Sequence, residues 1–284
     1  MPRKRYTEEE QIVGILKQGE VGTLNSRQTS QLAKDLSCRI RTNQMFGDAD
    51  LNAWILDKLK FRKGERLMDV GCGTGTYTIS FAKHIETDWS CTGVDISPES
   101  LRTAEKASSD SGLKINFVLK NMDQLNSSTD STRYDMITIM YALYYSKNAV
   151  RTLNHLANML NPEGRLAVLG PYMDNNKEWF DFLNRFMLLP EKILQSSSRF
   201  VYEEVLPFAW AHFDVTTCFR FVNHICIPSL EDLKRYWKSN TYYEPKYNKE
   251  FLKHAHAHFS KNKSFTFSKT AMLILMNNRK TDTA

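Results

Sequence analysis

Apolar residues recur at two periods along this chain, and the change of period separates its parts. Thr7 to Lys17 reads as a helix: Thr7 caps, Glu10 follows three residues on, and Ile12, Val13, Ile15 and Leu16 supply the apolar positions. From Ser26 to Leu59, Leu32, Leu36, Ile40, Leu51, Trp54, Ile55 and Leu59 recur at three- and four-residue steps, a second helical region. Short apolar runs then alternate with helical stretches. Strands are expected at Arg66–Val70, Ser90–Asp95, Ile115–Leu119, Tyr134–Met140 and Arg165–Leu169. Helices are expected between them, at Tyr77–Ile85, after the capping Ser97 with Pro98 at its first position, and at Asn148–Leu160. Such alternation argues for a parallel sheet with helices on both faces, an α/β fold.

After Gly170 the alternation stops. Trp179–Leu194 reads as an aromatic-rich amphipathic helix and Phe200–Phe213 as a helical cap. Thr217–Ile227 reads as a strand, Ser229 and Asp232 open a further helix as a capping box, Lys249–Phe259 forms another helix, and Phe265–Met276 a final strand.

Composition changes this picture little. Hydrophobic content of 42% and charged content of 25% over 284 residues suit a soluble globular enzyme. No apolar run reaches the roughly 20 residues that span a bilayer, and no apolar segment follows the basic N-terminus, so neither a membrane partner nor a secretory signal is expected. Five scattered cysteines without Cys-x-x-Cys spacing point to reduced thiols in the cytoplasm and to no zinc site. The net charge of +6 comes partly from lysines and arginines after Lys234, interleaved with Tyr236, Trp237, Tyr242, Tyr243, Tyr247 and Phe251. Basic-aromatic surfaces bind single-stranded nucleic acid, but a solvated helix face with its aromatics turned inward fits the pattern better, so nucleic acid is not the favoured partner.

The chemistry concentrates in one stretch. Leu67 to Val70 leads apolar residues around Asp69 into Gly71, Cys72, Gly73 and Gly75, then into a helix. A strand ending in such a turn lets backbone approach a ligand without Cβ atoms in the way, and the helix beyond it presents N–H donors. The glycine spacing is not that of the dinucleotide fingerprint, and no Gly-Lys-Ser/Thr of a P-loop follows. The pattern acid-x-Gly-x-Gly-x-Gly resembles the first motif of the class I S-adenosylmethionine (SAM)-dependent methyltransferases, over Leu67–Leu169 and more loosely afterwards, where Ile227–Trp237 is similar to the substrate-selecting segment of small-molecule methyltransferases.

That resemblance implies a Rossmann-like, doubly wound seven-stranded sheet of order 3-2-1-4-5-7-6, with the last strand antiparallel and a helical cap. It implies S-adenosyl-L-methionine as cofactor. Asp69 would support the turn near the cofactor's cationic amino group, with Gly71, Cys72, Gly73 and Gly75 beside it. Asp95, at the tip of strand two, would hold the ribose hydroxyls and Ile96 would pack on the adenine. Met122 and Asp123 would meet the adenine edge, and Tyr141 would line the cavity near the sulfur. Catalytic candidates are Tyr141, Tyr145, Tyr172 and His212. Ile139 to Tyr144, the end of the fourth strand and the residues after it, lack the Pro-Pro-aromatic signature of enzymes that methylate exocyclic amines of bases. His254, His256 and His258 lack the Glu of His-Glu-x-x-His, and only two of them share a helix face, so no metal is expected.

The expected organisation is an N-terminal extension (1–22), an N-terminal helical lid (23–60), a SAM-binding core (61–170), a helical cap insertion (171–215) and a C-terminal part (216–284). Arg5–Lys17 also resembles the opening of small insertion-sequence transposases, but nothing after Gly22 continues it, so it is read as a fusion scar or an extension. The expected activity is methyl transfer to a small-molecule acceptor with an O- or N-nucleophile. The competitors are an RNA methyltransferase and a SAM-binding module without catalysis. The apolar segments before Lys60 and between Tyr172 and Phe213 are expected to close as a lid over an enclosed pocket lined by Tyr141, Tyr145, Tyr172 and His212, or else to form a homodimer interface.

Overall fold

The computed structural model describes residues 38–86, 90–126, 128, 131–189, 191–240 and 242–280. The N-terminal helix expected at Thr7–Lys17 and the transposase-like stretch lie outside the described residues.

Seven strands form one sheet: β1 Leu67–Val70, β2 Cys91–Asp95, β3 Asn116–Leu119, β4 Tyr134–Met140, β5 Leu160–Pro171, β6 Phe213–Ile227 and β7 Phe265–Arg279. Their order is β3-β2-β1-β4-β5-β7-β6. The pairs β1–β2, β1–β4, β2–β3 and β4–β5 are parallel, and β7 runs antiparallel to β5. This is the doubly wound arrangement that the alternation requires. β1 is buried along its whole length because helices cover both faces, so it reads as a continuous apolar run broken only by Asp69.

The chain divides into two compact units. Unit two comprises residues 51–173, 198–221 and 271–284. It holds β1–β5 with helices Leu51–Leu59, Thr76–Ile85, Pro98–Asp110 and Ala149–Ala157. The capping expected of Ser97 is present: its hydroxyl accepts from the Ser100 N–H, with Pro98 in the first helical position. Two findings differ from the sequence expectation. The stretch at 161–164, between the expected helix Asn148–Leu160 and the expected strand Arg165–Leu169, is part of β5: Leu160 pairs with Tyr134, and the register shifts before Arg165 meets Met136. Gly164 is needed there, because a Cβ would come within 2.8 Å of the Tyr134 carbonyl oxygen. The segment Phe200–Phe213, expected as a peripheral cap, supplies core instead. Phe200, Val201, Val205, Leu206 and Phe208 are buried in the cluster that contains Val70, Ile139, Leu166 and Val168. It is helical as far as His212, with π-type turns at Gln195–Arg199 and Val201–Val205 before the α-helix Leu206–His212, and Phe213 opens β6.

A buried ion pair braces unit two. Arg165 donates to Glu65 Oε1 at 2.6 Å and to the Leu59 carbonyl at 2.7 Å, while Glu65 Oε2 accepts from the Arg62 N–H.

Unit one comprises residues up to Asp50, 174–197 and 222–270. Its core is aromatic. The fully buried Trp179 lies 5.2 Å from Tyr236, 6.3 Å from Trp237 and 5.9 Å from both Phe182 and Phe265, centroid to centroid. The expected helix Trp179–Leu194 is two pieces, Lys177–Leu183 and Glu191–Leu194. The Ser229 capping box forms as read, with Ser229 Oγ accepting from the Asp232 N–H and donating to its carboxylate. Asn223 and His224 on β6 are tied to the loop at Asp48–Ala49 through the Asn223 carboxamide and the Asp48 carboxylate. None of the described helices is long and apolar enough to cross a membrane.

Candidate functional site

The carboxyl ends of β1, β2 and β4 converge on the glycine turn of unit two. The turn starts where β1 stops pairing: Gly71 and Cys72 both donate to the Val94 carbonyl, at 2.7 and 3.0 Å. Gly71 and Gly73 have φ of 72° and 56°, a region that L side chains rarely adopt. Their surroundings differ. A Cβ on Gly71 would fall 2.3 Å from the Ala142 Cβ, whereas a Cβ on Gly73 would meet nothing within 4 Å. Gly71 is therefore needed for packing against the β4 tip. Gly73 leaves open space beside its backbone, where a ligand can approach.

Asp95 ties this turn to the tip of β2. Its Oδ2 accepts from the Gly73 N–H and its Oδ1 from the Ser97 N–H, both at 2.8 Å. Burial raises its pKa above the ordinary carboxylate value, and the N–H donors of Ser97, Gly73 and Ile96 partly offset that. Each carboxylate oxygen keeps a lone pair beyond these bonds, so the group can still accept from a diol. Ile96 beside it is only partly buried.

Asp69 is placed otherwise. It is 1% exposed and lies under the turn, accepting from Thr78 Oγ1 at 2.5 Å and Thr138 Oγ1 at 2.8 Å. Desolvation pushes its pKa up to about 6 despite these two donors. Its two threonine bonds make it a brace between β1, β4 and the helix after the turn. Sequence reasoning missed both threonines. The signals were available: Thr78 follows Gly75 by three residues, and Thr138 is the one hydroxyl in the apolar run Ile137–Met140.

Met122 and Asp123 lie in a short 3-10 turn after β3. The Met122 methyl comes 3.6 Å from where a Gly71 Cβ would sit, so it borders the glycine turn. Asp123 faces the loop after β4, accepting from Ser146 Oγ at 2.6 Å and from the Lys147 N–H at 3.2 Å. The Asp123 N–H is taken by the Asn121 carboxamide.

Tyr141 ends β4 with φ of 54°, a left-handed conformation costly for an aromatic residue and a form of strain that clusters at functional sites. Its N–H is held by the Leu169 carbonyl at 2.9 Å. Burial, with a smaller contribution from Tyr77, raises the phenol pKa, so the hydroxyl stays protonated. Tyr77, in the first turn after the glycines, is a neighbour that sequence reasoning did not single out. Tyr145 stacks obliquely on Tyr144 at 4.6 Å, and Tyr144 meets Phe200 at 5.9 Å. Tyr172 directly follows β5 and packs on the same core.

His212 is not brought together with these residues. Its carbonyl accepts from the Lys280 N–H, past the end of β7. Because Met276 of β7 pairs with Leu166 near the start of that β5 ladder and Ala271 with Pro171 at its end, Lys280 lies at the sheet edge opposite the glycine turn. The His212 ring is occupied locally, stacked 4.3 Å from Phe208 with Nδ1 2.9 Å from the Phe208 carbonyl oxygen. A cleft of about 330 Å³ lined by Arg66, Ser90, Thr92, Asn116, Thr132 and Tyr134 opens towards that same far edge and contains none of the candidate residues. Among the described residues no group of three His, Cys, Asp or Glu side chains could hold a metal ion.

Comparison with known proteins agrees with this geometry. Residues 61–200 match the family model described as a methyltransferase domain. The demethylmenaquinone methyltransferase of Lactobacillus johnsonii is 27% identical over 130 residues, 45% of this chain and 53% of that protein. The aklanonic acid methyltransferase DauC of a Streptomyces species is 30% identical over 108 residues, 38% of this chain and 49% of that protein. The chain thus spans about half the length of these curated relatives. In fold, it is similar to the plantazolicin methyltransferase BpumL, solved with a triazolic desmethylPZN analogue and S-adenosylhomocysteine (SAH), with a TM-score of 0.52 at 14% identity over 95% of this chain and 98% of that one. With a sheet of order 3-2-1-4-5-7-6, residues 61–200 are a methyltransferase domain of the class I, S-adenosylmethionine-dependent family.

Proposed function

We propose that the chain binds S-adenosylmethionine at the glycine turn and transfers its methyl group to a small-molecule acceptor carrying an oxygen or nitrogen nucleophile. The observation that carries this reading is the open space beside Gly73, bordered by the Asp95 carboxylate at the tip of the next strand. A cofactor with a vicinal diol fits that pairing, because a carboxylate there accepts both hydroxyls. Bound there, SAM supplies an electrophilic methyl group on a sulfonium, open to in-line displacement.

The protein's own part is then alignment and exclusion of water rather than acid–base work. Tyr141, protonated and strained at the β4 tip, acts as a wall and a hydrogen-bond donor. It is not a base, since burial raises its pKa. Tyr145 and Tyr172 continue that wall. The curated relatives named for demethylmenaquinone and aklanonic acid support a small-molecule substrate.

The RNA reading has little support. Tyr236, Trp237 and Phe251 are each 1% exposed and offer no stacking platform. Lys234, Lys246 and Lys253 are each paired with a glutamate three or two residues away.

Isothermal titration with SAH tests the proposal. The parent should bind at sub-millimolar concentration, and Asp95→Ala should weaken binding by roughly 1.5–3 kcal/mol, the usual loss for hydrogen bonds to a charged group, while retaining its circular dichroism spectrum. A parent that does not bind SAH, or a variant that binds like the parent, overturns it.

A further inference from the structure

Asp123 stands in the short turn after β3, beside the glycine turn, but its carboxylate is taken by donors of the protein itself. Oδ1 accepts from Ser146 Oγ at 2.6 Å and from Thr152 Oγ1 at 3.2 Å, and the Lys147 N–H lies 3.2 Å from each oxygen. Ser146 and Lys147 belong to the loop after β4, and the buried Thr152 to the helix Ala149–Ala157. An acid that reads a purine amine presents its oxygens to the cavity. Here both oxygens meet chain donors, and the Asp123 N–H is itself held by Asn121.

The loop that Asp123 holds carries part of the proposed wall. The chain leaves β4 at Tyr141, makes a 3-10 turn at Leu143–Tyr145 and enters the helix Ala149–Ala157 through the capping Asn148. At one end the loop is fixed by Ala142, whose methyl group fills the space beside Gly71. At the other it is fixed by Ser146. The Ser146 N–H closes the 3-10 turn on the Leu143 carbonyl at 3.0 Å, and its hydroxyl donates to Asp123 and accepts from the Asn148 N–H at 3.1 Å. Tyr144 and Tyr145 lie between these two fixed points. Without the carboxylate, the Ser146 and Thr152 hydroxyls would keep each other, 3.0 Å apart, but the Lys147 N–H would lose its acceptor. Bonds to a carboxylate are charge-assisted, so the acid is the strong fastening of this end.

We propose that Asp123 is a positioning residue for methyl transfer: it holds residues 142–148, and with them the Tyr145 part of the wall, and does not select the adenine. The role in transfer rests on the reading above; the hold on the loop does not.

Two measurements on the full chain test this. The first is trypsin cleavage after Lys147, read by mass spectrometry. Asp123→Ala and Ser146→Ala should each raise it about tenfold, the effect of losing hydrogen bonds to a charged group. Cleavage after Lys106, inside the helix Pro98–Asp110, should stay at the parent's rate, which separates loosening of the loop from global unfolding. Asp123→Asn keeps an oxygen to accept from Ser146 and should restore much of the protection. The second is isothermal titration with SAH and with S-inosylhomocysteine, whose purine carries an oxo group in place of the amine. The ratio of the two affinities should be the same in Asp123→Ala as in the parent. Cleavage after Lys147 that is equal in the parent and both variants, no recovery with Asp123→Asn, or a preference for SAH that Asp123→Ala abolishes, overturns the proposal. Ser146→Ala carries the cleavage measurement if Asp123→Ala does not fold. A parent that binds no SAH sinks the cofactor reading alone, because the cleavage measurement needs no ligand.

Discussion

The glycine turn of unit two and the aromatic cluster of unit one are built by opposite means. At the turn the backbone is the structure. Positive φ at Gly71 and Gly73, N–H groups aimed at Val94 and Asp95, and one buried acid beneath fix the shape, and few side chains reach outward. In unit one the side chains are the structure. Trp179 touches aromatic rings from two other elements, Tyr236 and Trp237 on the helix Leu230–Lys238 and Phe265 and Phe267 on β7. A feature made of backbone occupies a few consecutive residues and leaves a spaced motif. A feature made of converging side chains leaves only scattered aromatics and charges. That contrast explains why a cofactor class can be read from one stretch of chain while an acceptor cannot.

The largest effect should come from breaking the aromatic cluster. Trp179→Ala removes a fully buried ring that packs against Phe182, Tyr236, Trp237, Phe265 and Phe267. The loss should be about 3–5 kcal/mol, the range for truncating large buried aromatics, read as a lower urea midpoint. Among the described residues the indole N–H has no hydrogen-bond partner, so almost all of this is packing. A shift below about 1 kcal/mol would mean that the cluster collapses around the gap and does not hold unit one together.

The second pair of substitutions sharpens the comparison within the turn. Gly71→Ala meets both a positive φ and the Ala142 methyl at 2.3 Å, so strain and overpacking add to about 2–4 kcal/mol. Gly73→Ala meets only the positive φ, with open space around the new methyl, and should cost about 1–2 kcal/mol. Their effects on SAH should run the other way relative to stability. Gly73→Ala puts a methyl group where the ligand is proposed to lie, so its affinity loss should be large for a folded protein. If Gly73→Ala binds SAH as the parent does, the ligand does not approach the backbone there.

What the sequence made legible follows the same division. The first five strands could be inferred because each buried strand is a short apolar run bounded by helices, and Tyr134–Met140 has the bounds read from the pattern, whereas their order followed from the family resemblance. The break at Leu183 in the Trp179 helix was harder to see. The aromatic spacing continues past it, and the chain turns at Asn184–Met187, before Pro190, which disfavours helix at its predecessor. The bulged start of β5 was hidden because Asn161, Pro162 and Gly164 are turn formers that also suit a bulge. Among the site residues, the spacing of Asp69 and Asp95 was plain, but the hydrogen bonds that turn one inward and tie the other to Gly73 depend on partners far off in sequence. The position of His212 at the opposite edge of the sheet depends on the strand pairing around Lys280, which no local pattern records.

The smallest effect expected is a pH dependence, and it tests the claim that Asp69 is a brace under the turn. Its pKa is about 6 in the folded chain against 3.8 for the ordinary group. The folded state therefore holds a proton over a range in which the unfolded chain has released it. Stability from this group is greatest below about pH 4, falls as pH rises towards about 6, and is level above that. Asp69→Asn removes the titration while keeping a carbonyl oxygen to accept from one threonine, and its amide can donate to the other hydroxyl. Urea midpoints of parent and variant should therefore diverge in the variant's favour between pH 4 and 6. By neutral pH the difference should be on the order of 1 kcal/mol, because the rearranged hydrogen bonds offset part of the gain. SAH affinity should change little, since both Asp69 oxygens face threonines. Parallel stability profiles would show that Asp69 is ionised at little cost in the fold. A large loss of SAH affinity would show that its charge reaches the ligand, and the acid would then belong to the binding surface rather than to the support beneath it.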